Sequence, residues 1–212
     1  MASELANHWS LESSRLFLNH GSFGACPDFV IAEQRKWQDL MEQEPVRFFE
    51  ELMPDLLLKS RQALGAFLSC SPDDLAFVSN ATSGVNTILR SLQFEQGDEI
   101  LVPNHAYQAC RNTIDFVASR WGAKVVEVAI PFPIDGPETV VELMESACSE
   151  RTKLVMIDTV TSPTGLRMPF EELTSFFEGQ GVEVLLDAAH GIGMIPLNLR
   201  QLGASYVTSN CH

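Results

Sequence analysis

The chain has 212 residues, which is enough for one large domain or two small ones. Hydrophobic residues make up 45% of the sequence and charged residues 20%, a globular composition that argues against a disordered chain. The 28 Asp and Glu outnumber the 14 Lys and Arg, and the resulting net charge of −14 would repel nucleic acid and anionic membranes overall, apart from any local basic pocket. We therefore expect neither as a partner.

No targeting or metal-binding pattern stands out in the sequence. The first residues, MASELANHWSLESSR, lack the basic and apolar regions of a secretory signal, and no apolar run reaches the ~18 residues of a membrane span. The cysteines are odd in number and widely spaced, so the sequence favours neither a disulfide framework nor a zinc site. We predict a cytoplasmic protein without bound metal. The five cysteines are Cys26, Cys70, Cys110, Cys148 and Cys211.

Residues 1–70 are predicted to form an N-terminal helical and loop segment. The stretch from Val46 to Leu68 is typical of a long amphipathic helix, and we expect it to bend near Pro54. The preceding glycine-bearing stretch, LNHGSFGACP from Leu18 to Pro27, is too irregular for a helix or strand. No sheet pattern occurs here.

Residues 71–212 alternate between short apolar runs and amphipathic stretches. The apolar runs are near-continuous, as in strands that are covered on both faces. Helical spacing of apolar residues recurs around Val85, Val140 and Phe170. This alternation predicts an α/β fold, a mainly parallel sheet sandwiched by helices. The predicted strands are Ala76–Ser79, Glu99–Pro103, Lys124–Ile130, Leu154–Val160, Val182–Asp187 and Ser205–Ser209.

The first chemical motif is Ser79-Asn80-Ala81-Thr82-Ser83-Gly84, between a predicted strand and a predicted helix. Backbone N–H groups and the helix dipole make such a turn an anion site of phosphate size. A plain helix cap uses the same residue types, so the motif alone leaves both interpretations open. It matches neither nucleotide-binding glycine pattern.

The second motif is the sequence LLDAAHG, in which Asp187 ends an apolar strand and His190 follows. Open α/β sheets bind ligands at the carboxyl ends of their strands. A carboxylate there can keep a ring nitrogen protonated, although a capping aspartate beside a surface histidine explains the same pattern.

Three further polar segments follow predicted strands: DTVTSPTG, PNHAYQACRN and YVTSNCH. Turn chemistry alone explains the proline and glycine of the first segment. His105 and Tyr107 in the second could present rings to a planar ligand, or could simply be packed. The third segment reads as a strand that delivers polar side chains to the same edge.

Together with LNHGSFGACP and SNATSGVN, these segments, in this order, resemble the class V aminotransferase group of fold-type I pyridoxal-phosphate enzymes. The resemblance covers essentially the whole chain. It is strongest to the branch that contains isopenicillin N epimerase-like and cysteine desulfurase-like enzymes. It implies pyridoxal 5'-phosphate as cofactor, an amino acid as substrate and a homodimer as the active form.

The resemblance also implies residue roles at the cofactor phosphate and the substrate. Thr82 and the amide of Ser83 would hold the phosphate, which Asn210 and His212 would also reach. The substrate side would be lined by Asn19, His20 and Gly21.

At the cofactor ring, His105 would stack on the pyridine with Tyr107 close by, and Asp187 would pair with the pyridine nitrogen. His190 would lie near the phenolic oxygen. Ser162 stands where relatives carry an asparagine that contacts this oxygen, and a hydroxyl can also donate to it.

The chain stops at His212, whereas in the family YVTSNCH is followed at once by the lysine that anchors the cofactor and moves the proton. The small C-terminal domain of relatives is also missing. We therefore expect a segment of a longer protein, with lysine as the next residue. The lysines present are Lys36, Lys59, Lys124 and Lys153.

The motifs leave the reaction open among epimerisation, carbon–sulfur lysis, desulfuration and transamination. A non-catalytic relative that lacks the lysine and serves as a binding or scaffolding protein is the alternative. An unrelated α/β hydrolase or nucleotide-binding domain is disfavoured, because G-x-S-x-G and the phosphate-loop patterns are absent.

Overall fold

The computed structural model describes residues 4–211, which divide into two compact units. The helical unit consists of residues 4–67 and 71–75, and the sheet unit of residues 68–70 and 76–211. No helix among residues 4–211 has the length and apolar character needed to cross a membrane.

The helical unit confirms the long helix predicted from Val46, although its winding changes along its length. The π-helical segment ends at Leu52, two residues before Pro54, whose ring nitrogen has no hydrogen to donate to the preceding turn. Helix α1 was not predicted, and none of its residues is buried. The elements are 3₁₀ turns at Glu4–His8 and Pro72–Asp74, the π-helix Phe48–Leu52, and helices α1 (Asp28–Gln43), α2 (Pro45–Arg47) and α3 (Met53–Leu68).

The sheet unit is a five-stranded parallel sheet between helices, which confirms the predicted fold class. Its strands are β1 (Glu99–Pro103), β2 (Lys124–Val128), β3 (Thr152–Asp158), β4 (Glu183–Ala188) and β5 (Tyr206–Ser209). Its helices are α4 (Ala81–Ser91), α5 (Gln108–Trp121), α6 (Pro137–Ser146), α7 (Phe170–Gly179) and α8 (Leu199–Leu202).

One predicted strand is wrong. Residues Ala76–Ser79 have the apolar character of a strand, but the structure pairs them with no strand among residues 4–211. Phe77 and Val78 are 51% and 47% exposed. Because a strand needs a hydrogen-bonded neighbour, an apolar run alone does not make one. Strands β2 and β3 also end two residues earlier than predicted, at Val128 and Asp158.

The strand order β2-β1-β3-β4-β5 reverses direction at β1. The chain passes from β1 outward to β2, and then back across β1 to β3. The carboxyl ends of β1 and β3 therefore flank a topological switch point, where open α/β sheets bind ligands.

The two faces of the sheet carry separate apolar cores. Leu154, Met156 and Leu185 pack with α4 and α5, whereas Val155 and Leu186 pack with α6 and α7. Because strand side chains alternate between faces, this pattern fixes which face each residue at the strand ends occupies.

Candidate functional site

Three polar residues form a row across the carboxyl edge of the sheet. Asp158 on β3 is the register partner of Asp187 on β4, which in turn is the partner of Thr208 on β5. By the alternation of strand side chains, all three lie on the face that packs with α4 and α5. Both carboxyl groups are buried, with 3% exposure each. We call these three residues the carboxyl row.

The carboxyl row is incompletely paired. Asp187 Oδ1 accepts the N–H of Ala189 at 3.0 Å, and its Oδ2 accepts the thiol of Cys110 at 3.4 Å. Within residues 4–211, Asp158 Oδ2 and Thr208 Oγ1 have no hydrogen-bond partner, and neither carboxylate forms an ion pair. Buried polar atoms of this kind are rare in folded proteins, and they need an explanation.

Burial governs the ionisation of this cluster. Loss of solvent raises the pKa of Asp158 well above its ordinary value, and the negative charge of Asp187 raises it further. Burial also raises the pKa of Asp187, although the Ala189 N–H, the Cys110 thiol and nearby His190 oppose that shift. The thiol pKa of Cys110 is raised by burial and by Asp187. The cluster therefore favours a positively charged hydrogen-bond donor as its ligand.

The first turn of α4 lies against the end of β5. Asn80 caps the helix, since its Oδ1 accepts the N–H of Ser83 at 2.8 Å. Asn210 Oδ1 accepts the N–H of Ala81 at 3.0 Å. Gly84 permits this closeness, because a Cβ there would lie 2.9 Å from Thr208 Cγ2.

These contacts show which N–H groups of the predicted phosphate-binding turn already have a hydrogen-bond partner and which do not. The Ser83 amide, which the resemblance assigns to the phosphate, already has Asn80 as its partner. The N–H of Thr82 has no hydrogen-bond partner within the described part of the chain. The Thr82 side chain hydrogen-bonds the Cys110 thiol, which connects this turn to Asp187.

His105 is held by a hydrogen-bonded network that we call the His105 network. Its Nε2 lies 3.0 Å from the Ile130 carbonyl, which can only accept, so a neutral ring carries its proton there. The Thr164 hydroxyl then donates to Nδ1 at 2.9 Å, and the Thr161 hydroxyl donates to Thr164 Oγ1 at 2.7 Å. The Leu166 N–H donates to Thr161 Oγ1 at 2.9 Å. This network joins the loops after β1 and β3 across the switch point.

The remaining predicted site residues belong to neither the carboxyl row nor the His105 network. Tyr107 is exposed at the start of α5, and Ser162 is exposed in the turn after β3. His190 lies close enough to Asp187 to influence its charge. His212 lies outside the described residues, so its predicted role has no structural counterpart here.

Asn19, His20 and Gly21, predicted to line the substrate side, lie in the helical unit. The N–H of Phe23 donates to the Asn19 carbonyl, which closes a turn around them. The His20 ring packs edge-on against Phe17, with ring centroids 4.6 Å apart.

Sequence reasoning missed Asp158, Cys110 and Thr164 as members of this site. Asp158 carried the same signal as Asp187, a carboxylate at the end of an apolar strand. Cys110 and Thr164 had no comparable signal, because helix α5 and the turn after β3 bring them to the site only in the folded unit.

The lysines of the sheet unit do not reach the carboxyl row. Lys124 begins β2 and Lys153 is the second residue of β3, so both lie at the amino edge of the sheet. Within the described sheet unit, the carboxyl edge therefore has no lysine.

Similar proteins share this fold. A C-DES mutant with glycine covalently linked to its pyridoxal-phosphate cofactor is 20% identical with a TM-score of 0.80, over 98% of this chain and 54% of that chain. The cysteine desulfurase CsdA from Escherichia coli is 18% identical with a TM-score of 0.83, over 96% of this chain and 52% of that chain. At these identities the likeness establishes the fold.

Curated relatives are more similar in sequence. The probable chloroplastic L-cysteine desulfhydrase of Arabidopsis thaliana is 34% identical over 92% of this chain and 44% of its own length. The isopenicillin N epimerase of Amycolatopsis lactamdurans is 32% identical over 96% of this chain and 52% of its own length. The chain thus spans about half the length of these relatives. The profile of the family Aminotransferase class-V matches residues 41–212, and the chain therefore belongs to the class V aminotransferase family.

Proposed function

We propose that this chain is the cofactor-binding part of a pyridoxal-phosphate-dependent enzyme that acts on the α-carbon or β-substituent of an amino acid. The observation that carries the proposal is the carboxyl row, which places two buried carboxyl groups at the ligand-binding edge of the sheet. The class V family is pyridoxal-phosphate dependent, which supports the same cofactor for this chain.

The residues of the row fit this cofactor. Asp187 is buried, and no cation pairs with it among residues 4–211, so a protonated ring nitrogen would supply the missing charge. Pyridoxal phosphate, when bound, supplies an electron sink for the charge left by a bond broken at the substrate α-carbon.

The chain's own residues would bind and orient the group. Asp187 would keep the ring nitrogen protonated, because a buried carboxylate favours a proton on its partner. The His105 network would present a ring held at both nitrogens. The Thr82 N–H, its hydroxyl and the positive end of α4 would bind the phosphate, next to Asn210.

For the reaction, we propose carbon–sulfur cleavage of cysteine or a related amino acid. Six curated relatives carry names that include L-cysteine desulfhydrase, at 28–34% identity over at least 92% of this chain. Epimerisation is the second candidate, because two relatives are named isopenicillin N epimerase.

The test uses the full-length protein. We expect an absorbance band of bound cofactor that borohydride bleaches, and sulfide release from L-cysteine in the assay. Loss of optical purity of the amino-acid substrate without release of sulfide would favour epimerisation over carbon–sulfur cleavage. A purified protein that neither binds pyridoxal phosphate nor shows the band would contradict the proposal.

The alternative is a non-catalytic binding or scaffolding relative that lacks the anchoring lysine. Our proposal requires that lysine, which the resemblance implies directly after His212. Peptide mapping after borohydride reduction distinguishes the two. A pyridoxyl-labelled lysine supports the enzyme, whereas bound cofactor that washes out unlabelled supports the alternative.

We further propose a cytoplasmic homodimer. Leu16, Leu18 and Phe23 in the helical unit are largely exposed, and apolar surface of this kind is typical of an interface. The odd number and wide spacing of the cysteines, which favour no disulfide framework, support a reducing compartment. Light scattering at assay concentration tests the dimer, and an active monomer would contradict it. Fractionation of cells tests the compartment.

A further inference from the structure

Asp158 is a buried acid to which the proposed function assigns no contact with the cofactor. It ends β3 beside Asp187, it is 3% exposed, and its Oδ2 has no partner within residues 4–211. Its register neighbour on β4 is also a carboxyl group, so the two side chains point to the same face of adjacent strands.

The surroundings offer this pair little positive charge. Asp187 faces Asp158 from β4, and the Cys110 thiol faces both carboxyls from α5. His190, in the turn after β4, faces Asp187. No Arg or Lys within residues 4–211 forms an ion pair with either carboxyl.

Two ionised carboxylates at this position would be both desolvated and mutually repelling, which is costly in a protein interior. A single proton removes one charge and provides an O–H donor. Asp187 accepts two hydrogen bonds and faces His190, all of which favour its ionised form. Within the described chain, Asp158 accepts only the hydrogen bond of its own backbone N–H, and its Oδ2 accepts none. The proton therefore belongs on Asp158.

We propose that Asp158 is a positioning residue for Asp187, which retains its proton at neutral pH so that the carboxyl row carries one negative charge. One charge matches one protonated ring nitrogen. The functional meaning rests on the proposed function, since Asp158 would act on the cofactor only through Asp187. The protonation itself does not require the cofactor.

The first experiment compares the pH dependence of stability in full-length cofactor-free protein. A folded-state pKa raised above the unfolded value of about 4 means that the native state holds an extra proton above that pH. Stability is thus lost as pH rises from about 4 to the raised pKa. Asp158→Asn removes this dependence, because its amide stays neutral.

We expect the unfolding equilibrium constant of wild type, relative to Asp158→Asn, to rise up to about tenfold per pH unit through that window. The matched control is Asp135→Asn, which changes an exposed carboxyl of the same unit and should leave the pH slope as in wild type. A wild-type slope in Asp158→Asn would overturn the proposal.

A second measurement stays with wild type, in case the variant does not fold. Aspartate carboxyl carbons, labelled with carbon-13, change their NMR shift on ionisation. We expect one aspartate signal to remain at the protonated position at pH 7. A spectrum in which every aspartate is ionised at pH 7 would overturn the proposal.

The third arm tests positioning and uses equilibrium dialysis with pyridoxal phosphate. Asp158→Asn keeps a neutral polar group beside Asp187, whereas Asp158→Ala removes it, so we expect the loss of affinity to be larger in Asp158→Ala than in Asp158→Asn. Equal losses in the two variants would contradict a positioning role, and a loss greater than about tenfold in Asp158→Asn would show that Asp158 acts as a charge, against the proposal. Wild type that keeps the proton but binds no cofactor would overturn the proposed function alone.

Discussion

Two polar regions meet at the carboxyl edge of the sheet, and they differ in how well their hydrogen bonds are satisfied. In the His105 network both ring nitrogens and the bridging hydroxyls have partners, from Ile130 to Leu166. In the carboxyl row, Asp158 Oδ2 and Thr208 Oγ1 have none within the described residues, and Asp187 has no cation.

This difference in hydrogen bonding indicates that one region supports the site and the other binds the ligand. A buried network with every member satisfied is rigid, because each group would lose a partner if it moved. A buried carboxylate that lacks a cation is stabilised when a positively charged ligand binds next to it. We interpret the His105 network as a preformed wall and the carboxyl row as the part that the ligand completes.

We expect the largest effect from a substitution that removes a carboxyl group of the carboxyl row. We predict that Asp187→Ala abolishes turnover while the fold persists, because the ring nitrogen loses the group that keeps it protonated. Loss of one preorganised electrostatic partner costs about 10²–10³-fold in rate or more. Steady-state kinetics and a thermal melt measure the two effects. Asp135→Ala is the control, and Asp187→Ala activity within a few-fold of wild type would refute the role.

A smaller effect is expected at the phosphate turn. Thr82→Ala should weaken pyridoxal-phosphate binding by about 1.5–3 kcal/mol, about 10–150-fold, since it removes a hydroxyl bond to a charged group. Stability should fall less, because Asn80 caps α4. Equilibrium dialysis and denaturant titration separate these quantities. Unchanged affinity together with lower stability would favour a purely structural Thr82.

A substitution that removes a hydrogen bond from the His105 network should lower the free energy of unfolding. Thr164→Val keeps the side-chain shape but leaves His105 Nδ1 without its donor, which costs about 1–3 kcal/mol. Thr164→Ser retains the hydroxyl and should cost less. Urea unfolding of both variants provides the measurement, and equal stability of the two would mean that this hydrogen bond contributes nothing.

The smallest effect should come from Asn80→Ala, which removes the cap of α4 but no predicted cofactor contact. A lost N-cap typically costs about 1 kcal/mol of stability. The free energy of unfolding should drop by this amount while cofactor affinity stays nearly constant. An affinity loss as large as that of Thr82→Ala would show that the cap and the phosphate site cannot be separated.

The sequence predicted those strands of the sheet that a local run of apolar residues marks. Five apolar runs became strands, since each has neighbours that cover both faces. The run at Ala76–Ser79 had the same composition but no partner strand within the described chain. The resemblance to class V aminotransferases was confirmed by the family match over residues 41–212.

The sequence by itself determined the alternation of strands and helices, the polar residues at the strand ends and the prominence of Asp187. Only the tertiary structure decided which of these groups meet. It placed Asp158 beside Asp187 through strand register, brought Cys110 to Asp187 from α5, and brought Thr164 to His105. Local periodicity shows which face a residue occupies, whereas register and helix packing depend on contacts between distant segments, and those contacts set which charges are buried together.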